Sequence, residues 1–340
     1  MEPTMEAKDP LTSLALDVPY LSVKTRNTFA DSIFYDVRSL SAEEQAQLNP
    51  LNDREGSVVV VPPSGKGRMR HYRSALRFMH AEGDNIRAIA VAGVGSSVLG
   101  TVALARNVAD AMGSDVAGVV TGYGMTDLAT EALGGWFLFG AADRARMRIE
   151  QMVETSRSAL GSVLPAAVAG RSPQEVSLGA RPGPDVATIV DILMARPKNL
   201  ILAVGHSKGS LVLDYALEQF VRDLGGDSHP LFNSLHVVTL GAVVDLPEQF
   251  EHVKHFMGSL DWFGGLNSRR GLERSTVPKA WHHLNRKLPY HLDAVKVLQG
   301  YVHENGLTVS AAVAIEDGSE LRERTPAPRE RPVAEERSKA

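Results

Sequence analysis

Residues 198–210 read KNLILAVGHSKGS and run on through LVLDYALEQFVRDL to Leu224. Leu200 to Val204 is a short apolar run, the pattern of a strand buried on both faces of a parallel sheet. Leu211, Val212, Leu213, Tyr215, Ala216, Leu217, Phe220 and Val221 supply the apolar side of an amphipathic helix, expected to about Leu224. Between strand and helix stands Gly205-His206-Ser207-Lys208-Gly209, a G-x-S-x-G pattern. A sharp strand-to-helix turn pushes a serine hydroxyl out above the sheet. Its flanking glycines are needed because a side chain there would strike the neighbouring strand or helix. The five-residue pattern alone is weak, and its position at the junction gives it weight. Ser207 is the candidate nucleophile, against the blander reading of a helix N-cap serine.

Working outward, strands and helices alternate. Strands are expected at 57–61, 86–92, 115–120, 235–240 and 253–257, and helices at 70–80, 97–112 and from His291 to Gln299. Such alternation predicts an α/β fold: a mostly parallel central sheet with helices on both faces. A helical insertion is expected before the nucleophile strand, at about 125–197. Residues 1–50 read as an N-terminal extension, 51–305 as the α/β domain, and 306–340, rich in Glu, Arg and Pro, as a disordered tail. Within the insertion, Trp136, Phe137 and Phe139 form an apolar patch that reads either as core or as a cap offering an acyl-binding surface.

Composition narrows the classes. The 340 residues are 44% hydrophobic and 22% charged, the balance of a globular protein, and are enough for a sizeable core. A net charge of −4 gives no reason to expect nucleic acid or an anionic membrane surface as partner. With no cysteine, disulfides, thiolate metal sites and cysteine nucleophiles are excluded, and a cytoplasmic location is expected. Residues 88–105 are 18 uncharged residues, long enough to span a membrane, but Gly93-Val94-Gly95-Ser96-Ser97 breaks them into strand, loop and helix start. No signal peptide and no stable membrane span are expected.

A serine hydroxyl is a poor nucleophile at neutral pH and needs a base, normally a histidine held by a carboxylate. Following a nucleophile in mid-sheet, the partners should come in the order acid, then histidine, beyond the carboxyl ends of later strands. Asp261 follows the strand at 253–257 and is the preferred acid, with Asp245 as its rival; either is equally readable as a turn carboxylate. For the base, His291 before the last helix is preferred over the adjacent pair His282 and His283. The oxyanion of a tetrahedral intermediate needs two fixed backbone donors. The amides of Lys208, directly after the serine, and of Val94 or Gly95, in the loop after the strand at 86–92, are the candidates.

No cofactor and no metal are expected. Gly93-x-Gly95 lacks the third glycine of a dinucleotide fingerprint, since Val98 stands there, and Ser64-Gly65-Lys66-Gly67 lacks the spacing of a phosphate loop. Glu251, His252 and His255 form no metal-binding pattern.

On the glycine loop, Gly205-His206-Ser207-Lys208-Gly209, Asp261 and the downstream histidine, the chain resembles the α/β-hydrolase superfamily over roughly residues 57–302. The Gly-His-Ser-x-Gly form is similar to that of lipases and esterases. The resemblance implies hydrolysis of a small-molecule or lipid acyl ester through an acyl-enzyme, with Ser207 as nucleophile, His291 as acid/base and Asp261 as its orienter. Lys208 and the absence of a His-Gly pair in the oxyanion loop depart from common lipases. A thioesterase or acyltransferase with the same residues, and a non-catalytic binding scaffold, are the alternatives.

Overall fold

A computed structural model of the chain describes residues 31–48, 54–93, 97–121, 183–266, 268–269 and 271–308. In chain order its elements are α1 (Ala42–Gln47), β1 (Val58–Val61), β2 (Arg70–Tyr72), α2 (Ala75–Glu82), β3 (Ala88–Val91), α3 (Val98–Met112) and β4 (Val116–Val119). There follow α4 (Pro184–Met194), β5 (Leu202–His206), α5 (Lys208–Asp223), α6 (Leu231–Ser234), β6 (His236–Leu240), β7 (His252–Gly258), α7 (Trp262–Leu266), β8 (Ser275–Val277) and α8 (Ala294–Glu304). The 8 strands make one open sheet in the order β2-β1-β4-β3-β5-β6-β7-β8. β1 is antiparallel to both β2 and β4, and every pairing from β4 to β8 is parallel. The fold is therefore a mixed α/β fold built on a mostly parallel sheet.

Alternation along the strands explains the two cores. Val59, Val61, Ala88, Ala90, Leu202, Val204, Val238 and Leu240 point into one cluster, with α3, α8 and the residues Tyr35, Leu40 and Leu48. Val58, Val60, Ile89, Val91, Ala203 and Val237 point into the other, with α2, α4, α5 and Phe250. Covering both faces makes the central strands read as unbroken apolar runs, and each fully buried valine is worth roughly 1.5–3 kcal/mol over its exposed state. At β4, small residues let a helix approach: a Cβ on Gly118 would lie 2.9 Å from Thr101 Cγ2 of α3.

Three local expectations are sharpened or corrected. The helix expected at 70–80 begins only at Ala75, capped by Ser74, while Arg70–Tyr72 forms an edge strand. Arg70 is held there by Glu82 and, at 2.7 Å, by Asp115. Pro184–Met194, inside the helical insertion expected at about 125–197 but not singled out within it, is a helix with proline in its first turn and Ile189, Ile192 and Leu193 in the core. β8, at Ser275–Val277, pairs with β7 at a place where no strand is expected from the sequence. The apolar stretch 88–105 divides into β3 and the start of α3, and among the described residues no helix is long and apolar enough to cross a membrane. Residues 122–182 and 309–340, with most of the expected insertion and tail, lie outside the described residues.

Several histidines are buried as neutral rings. Burial pushes His236 and His255 down to about 4, with His252 and Lys254 respectively adding repulsion, and pushes His206 to about 3. In the unfolded chain these rings return to 6.5, so between those values the unfolded state binds more protons. Stability is present above the unfolded value and is lost as pH falls through the window. Thermal unfolding is expected at a lower temperature at about pH 5 than at about pH 7, each ring contributing a loss of up to about 2 kcal/mol. An unchanged midpoint would overturn the assignment of these rings as neutral.

Candidate functional site

The site forms where β5 turns into α5. Ser207 adopts φ 54° and ψ −127°, a conformation that L side chains rarely accept and that costs about 1–3 kcal/mol. The turn is held on both sides: Ser207 N–H donates to Leu240 O at 2.9 Å, and Ser210 N–H donates to Ser207 O at 3.0 Å. The flanking glycines are required by space. A Cβ on Gly205 would lie 2.7 Å from Ser210 Cα, and one on Gly209 only 2.2 Å from Val91 O and 2.4 Å from Ala92 O. The helix can therefore start directly against the end of β3, with the serine at its tip.

Asp261 leaves the loop after β7 and precedes α7. Its side chain is fully buried, and Gly264 N–H donates to its Oδ1 at 2.6 Å. Gly264 is also sterically fixed, since a Cβ there would stand 2.2 Å from Gly241 O and 2.6 Å from Asp261 Oδ2. Oδ2 lies 2.8 Å from Nδ1 of His282, and Oδ1 lies 3.1 Å from the same nitrogen. On the other side of that ring, Nε2 lies 2.8 Å from Ser207 Oγ. A carboxylate can only accept, so Nδ1 carries the proton and Nε2 accepts from the serine hydroxyl. Phe263 stands edge-on to the His282 ring, with centroids 4.8 Å apart. His282 itself is 2% exposed in its side chain.

The structure brings Ser207 and Asp261 together, but through His282 and not through the preferred His291. His291 is half-buried on the chain just before α8, and its Nδ1 is 3.3 Å from Leu288 O. The loop that carries His282 is reached from β8, which pairs with β7; β8 carries no apolar run, so the sequence alone marks only the last helix as a landmark near these histidines. His283, next along, turns away and pairs Nε2 with Pro289 O at 3.0 Å. Asp245 is exposed and ion-paired with Arg269. Lys208 is the first residue of α5, where N–H groups point out of the helix end. Val94 and Gly95 lie outside the described residues, though Gly93 is described and packs against the serine: a Cβ there would be 3.2 Å from Ser207 Cβ.

The rest of the described residues offer no rival centre of metal chemistry. Among them no group of three or more histidine, aspartate and glutamate side chains is placed to hold an ion. His255 instead bonds Thr239 Oγ1 at 2.7 Å, and His252 stacks on His236 at 4.3 Å. At the glycine-lysine turn, Ser64 N–H and Oγ both donate to Asp110, so a carboxylate occupies that turn.

A buried carboxylate, a ring with its proton on the carboxylate side and a hydroxyl on the other side form an array able to move a proton from oxygen to nitrogen. No protein-family model matches this sequence, and no curated protein is significantly similar to it.

Proposed function

We propose that the chain is a serine hydrolase of the α/β-hydrolase type that cleaves a carboxylic ester through an acyl-enzyme. Ser207 Oγ attacks the ester carbonyl and its proton passes to His282 Nε2. Asp261 holds the ring in the tautomer that can accept this proton and offsets the charge that the ring then carries. The tetrahedral oxyanion collapses, the C–O bond to the alcohol breaks, and the imidazolium returns its proton to the departing oxygen. Water then repeats the sequence on the acyl-serine. The Lys208 amide at the α5 N-terminus and one from Val94 or Gly95 are the proposed oxyanion donors.

The observation that carries this reading is the continuous Ser207–His282–Asp261 hydrogen-bonded array with the serine on a strained strand–helix turn. A cap or core serine is satisfied in ordinary geometry, so the strained backbone at Ser207, taken together with its bond to His282, supports a functional role. The substrate class is an acyl ester of small-molecule or lipid origin.

The test is labelling by a fluorophosphonate probe together with p-nitrophenyl esters of increasing chain length. The wild type is expected to be labelled and to hydrolyse at least one ester, and Ser207→Ala to lose both while unfolding at a similar temperature. Folded wild type that neither labels nor hydrolyses would leave a binding scaffold and end the hydrolase reading.

A further inference from the structure

The middle residue of the glycine-serine turn before the nucleophile, His206, is used by none of the steps above, yet it is 1% exposed and fully bonded. Its Nε2 lies 3.0 Å from the main-chain oxygen of His282, and its Nδ1 lies 2.7 Å from the hydroxyl of Tyr35. That same hydroxyl lies 2.7 Å from the N–H of Gly93, the residue that ends the described part of the chain after β3. Directions follow from what each group can do. The His282 carbonyl only accepts, so His206 carries its proton on Nε2. Nδ1 then accepts from Tyr35 O–H, and the Tyr35 oxygen accepts from Gly93 N–H. Burial holds the ring neutral, pushing it to about 3.

The segment around Tyr35 grips the same two places again. Asp31 Oδ2 accepts from Ser97 N–H at 2.7 Å and Gly100 N–H at 3.2 Å, so Gly93 and Ser97, the two flanks of residues 94–96, both bond to one turn of chain. On the opposite side, Phe34 O accepts from Leu284 N–H at 2.8 Å and Ser32 O accepts from Asn285 Nδ2 at 2.7 Å, two and three residues beyond His282. The Phe34 ring stands edge-on to that of His282, centroids 6.0 Å apart. Residues 31–35 thus bridge the chain after β3 and the chain that carries His282, with His206 as the central link.

We propose that Tyr35 and His206 are positioning residues that lock the main chain at Gly93 to the main chain of His282, fixing the spacing between the oxyanion side and the base side of Ser207. The assignment rests on the serine-hydrolase reading for its consequence, but the link itself is a feature of the folded chain. Its effect is on geometry: a displacement of the base by a fraction of an ångström costs rate without costing affinity.

Tyr35→Phe removes the hydroxyl that bonds His206 and Gly93 while keeping the ring. It is expected to lower kcat on a p-nitrophenyl ester by about 10- to 100-fold, with KM within about twofold. His206→Gln, whose amide still reaches the His282 carbonyl, is expected to recover part of what His206→Leu loses. Tyr35→Phe added to His206→Leu is expected to cost nothing further, because both break one chain of bonds. A readout independent of turnover is side-chain nitrogen NMR on histidine-labelled protein. His206 is expected to be neutral with its proton on Nε2 from roughly pH 5 to 8, and the His282 ring signals to shift in Tyr35→Phe. A proton on Nδ1, or unshifted His282 signals, would overturn the link. An unchanged kcat in folded Tyr35→Phe would overturn its role in rate. Wild type inert to both ester and fluorophosphonate would instead sink the hydrolase reading, leaving the NMR result to decide the link.

Discussion

Replacing His282 with alanine is expected to lower kcat/KM by roughly 10⁴-fold or more, whereas His291→Ala stays within about twofold of wild type. The difference follows from reach. His282 Nε2 is 2.8 Å from Ser207 Oγ, the distance at which a proton can be handed over. His291 is engaged with Leu288 O and makes no bond to the serine. Without the imidazole, Ser207 must surrender its proton to water, and the residual rate comes from binding and oxyanion donors alone. His282→Ala also leaves the buried Asp261 carboxylate with the Gly264 amide but without the ring, so some loss of stability is expected. His282→Asn, whose amide nitrogen lies close to the Nδ1 position and keeps a donor toward Asp261, separates that loss from the chemical one: it should fold better than alanine and remain as inactive. Kinetics with thermal unfolding on all three variants checks the assignment. An inactive His291→Ala beside an active His282→Ala would reverse it.

What the sequence made legible was governed by burial. The central strands β1, β3, β4, β5 and β6 are covered on both faces, so their apolar runs survive in one dimension, and the sharp turn at Ser207 follows from the two glycines that flank it. Edge strands carry no such run. Arg70–Tyr72 and Ser275–Val277 have only partly buried or exposed residues, so the first reads as part of the following helix and the second carries no strand pattern. Missing β8 had a consequence for the site, because the loop that follows it supplies His282. Two adjacent histidines, 282 and 283, gave no internal reason to choose between them, and three-dimensional geometry separates them: one faces Asp261, the other Pro289. The helix at Pro184–Met194 had its signal in plain view, a proline in the first turn and apolar residues at helical spacing, but sat at the end of a stretch dominated by Pro, Ala and Gly. Tyr35 and Asp31 were not legible at all. Their partners lie 171, 58 and 66 residues away in the chain, and no periodicity announces a contact of that kind.

Asp261→Asn is expected to leave the fold intact and to lower kcat by roughly 10⁴-fold, a larger effect than the loss of one charge alone would produce. The reason is the Gly264 amide. It donates to Oδ1 at 2.6 Å, a position that only an acceptor can occupy. An asparagine therefore keeps its carbonyl oxygen there and turns its NH2 toward His282, into the place where Oδ2 now lies 2.8 Å from Nδ1. Two donors cannot face each other, so Nδ1 becomes the acceptor and the ring proton moves to Nε2. Ser207 Oγ then meets an N–H in place of a lone pair, and the ring cannot take its proton. Because the side chain retains its size and its bond to Gly264, the variant should unfold at a temperature close to that of the wild type. Histidine nitrogen NMR should show the proton of His282 moved from Nδ1 to Nε2 in step with the loss of rate. Raising the pH should not restore wild-type turnover, since the tautomer and not the degree of protonation is at fault. An active Asp261→Asn with the proton still on Nδ1 would show that another group orients the ring, and would remove Asp261 from the mechanism.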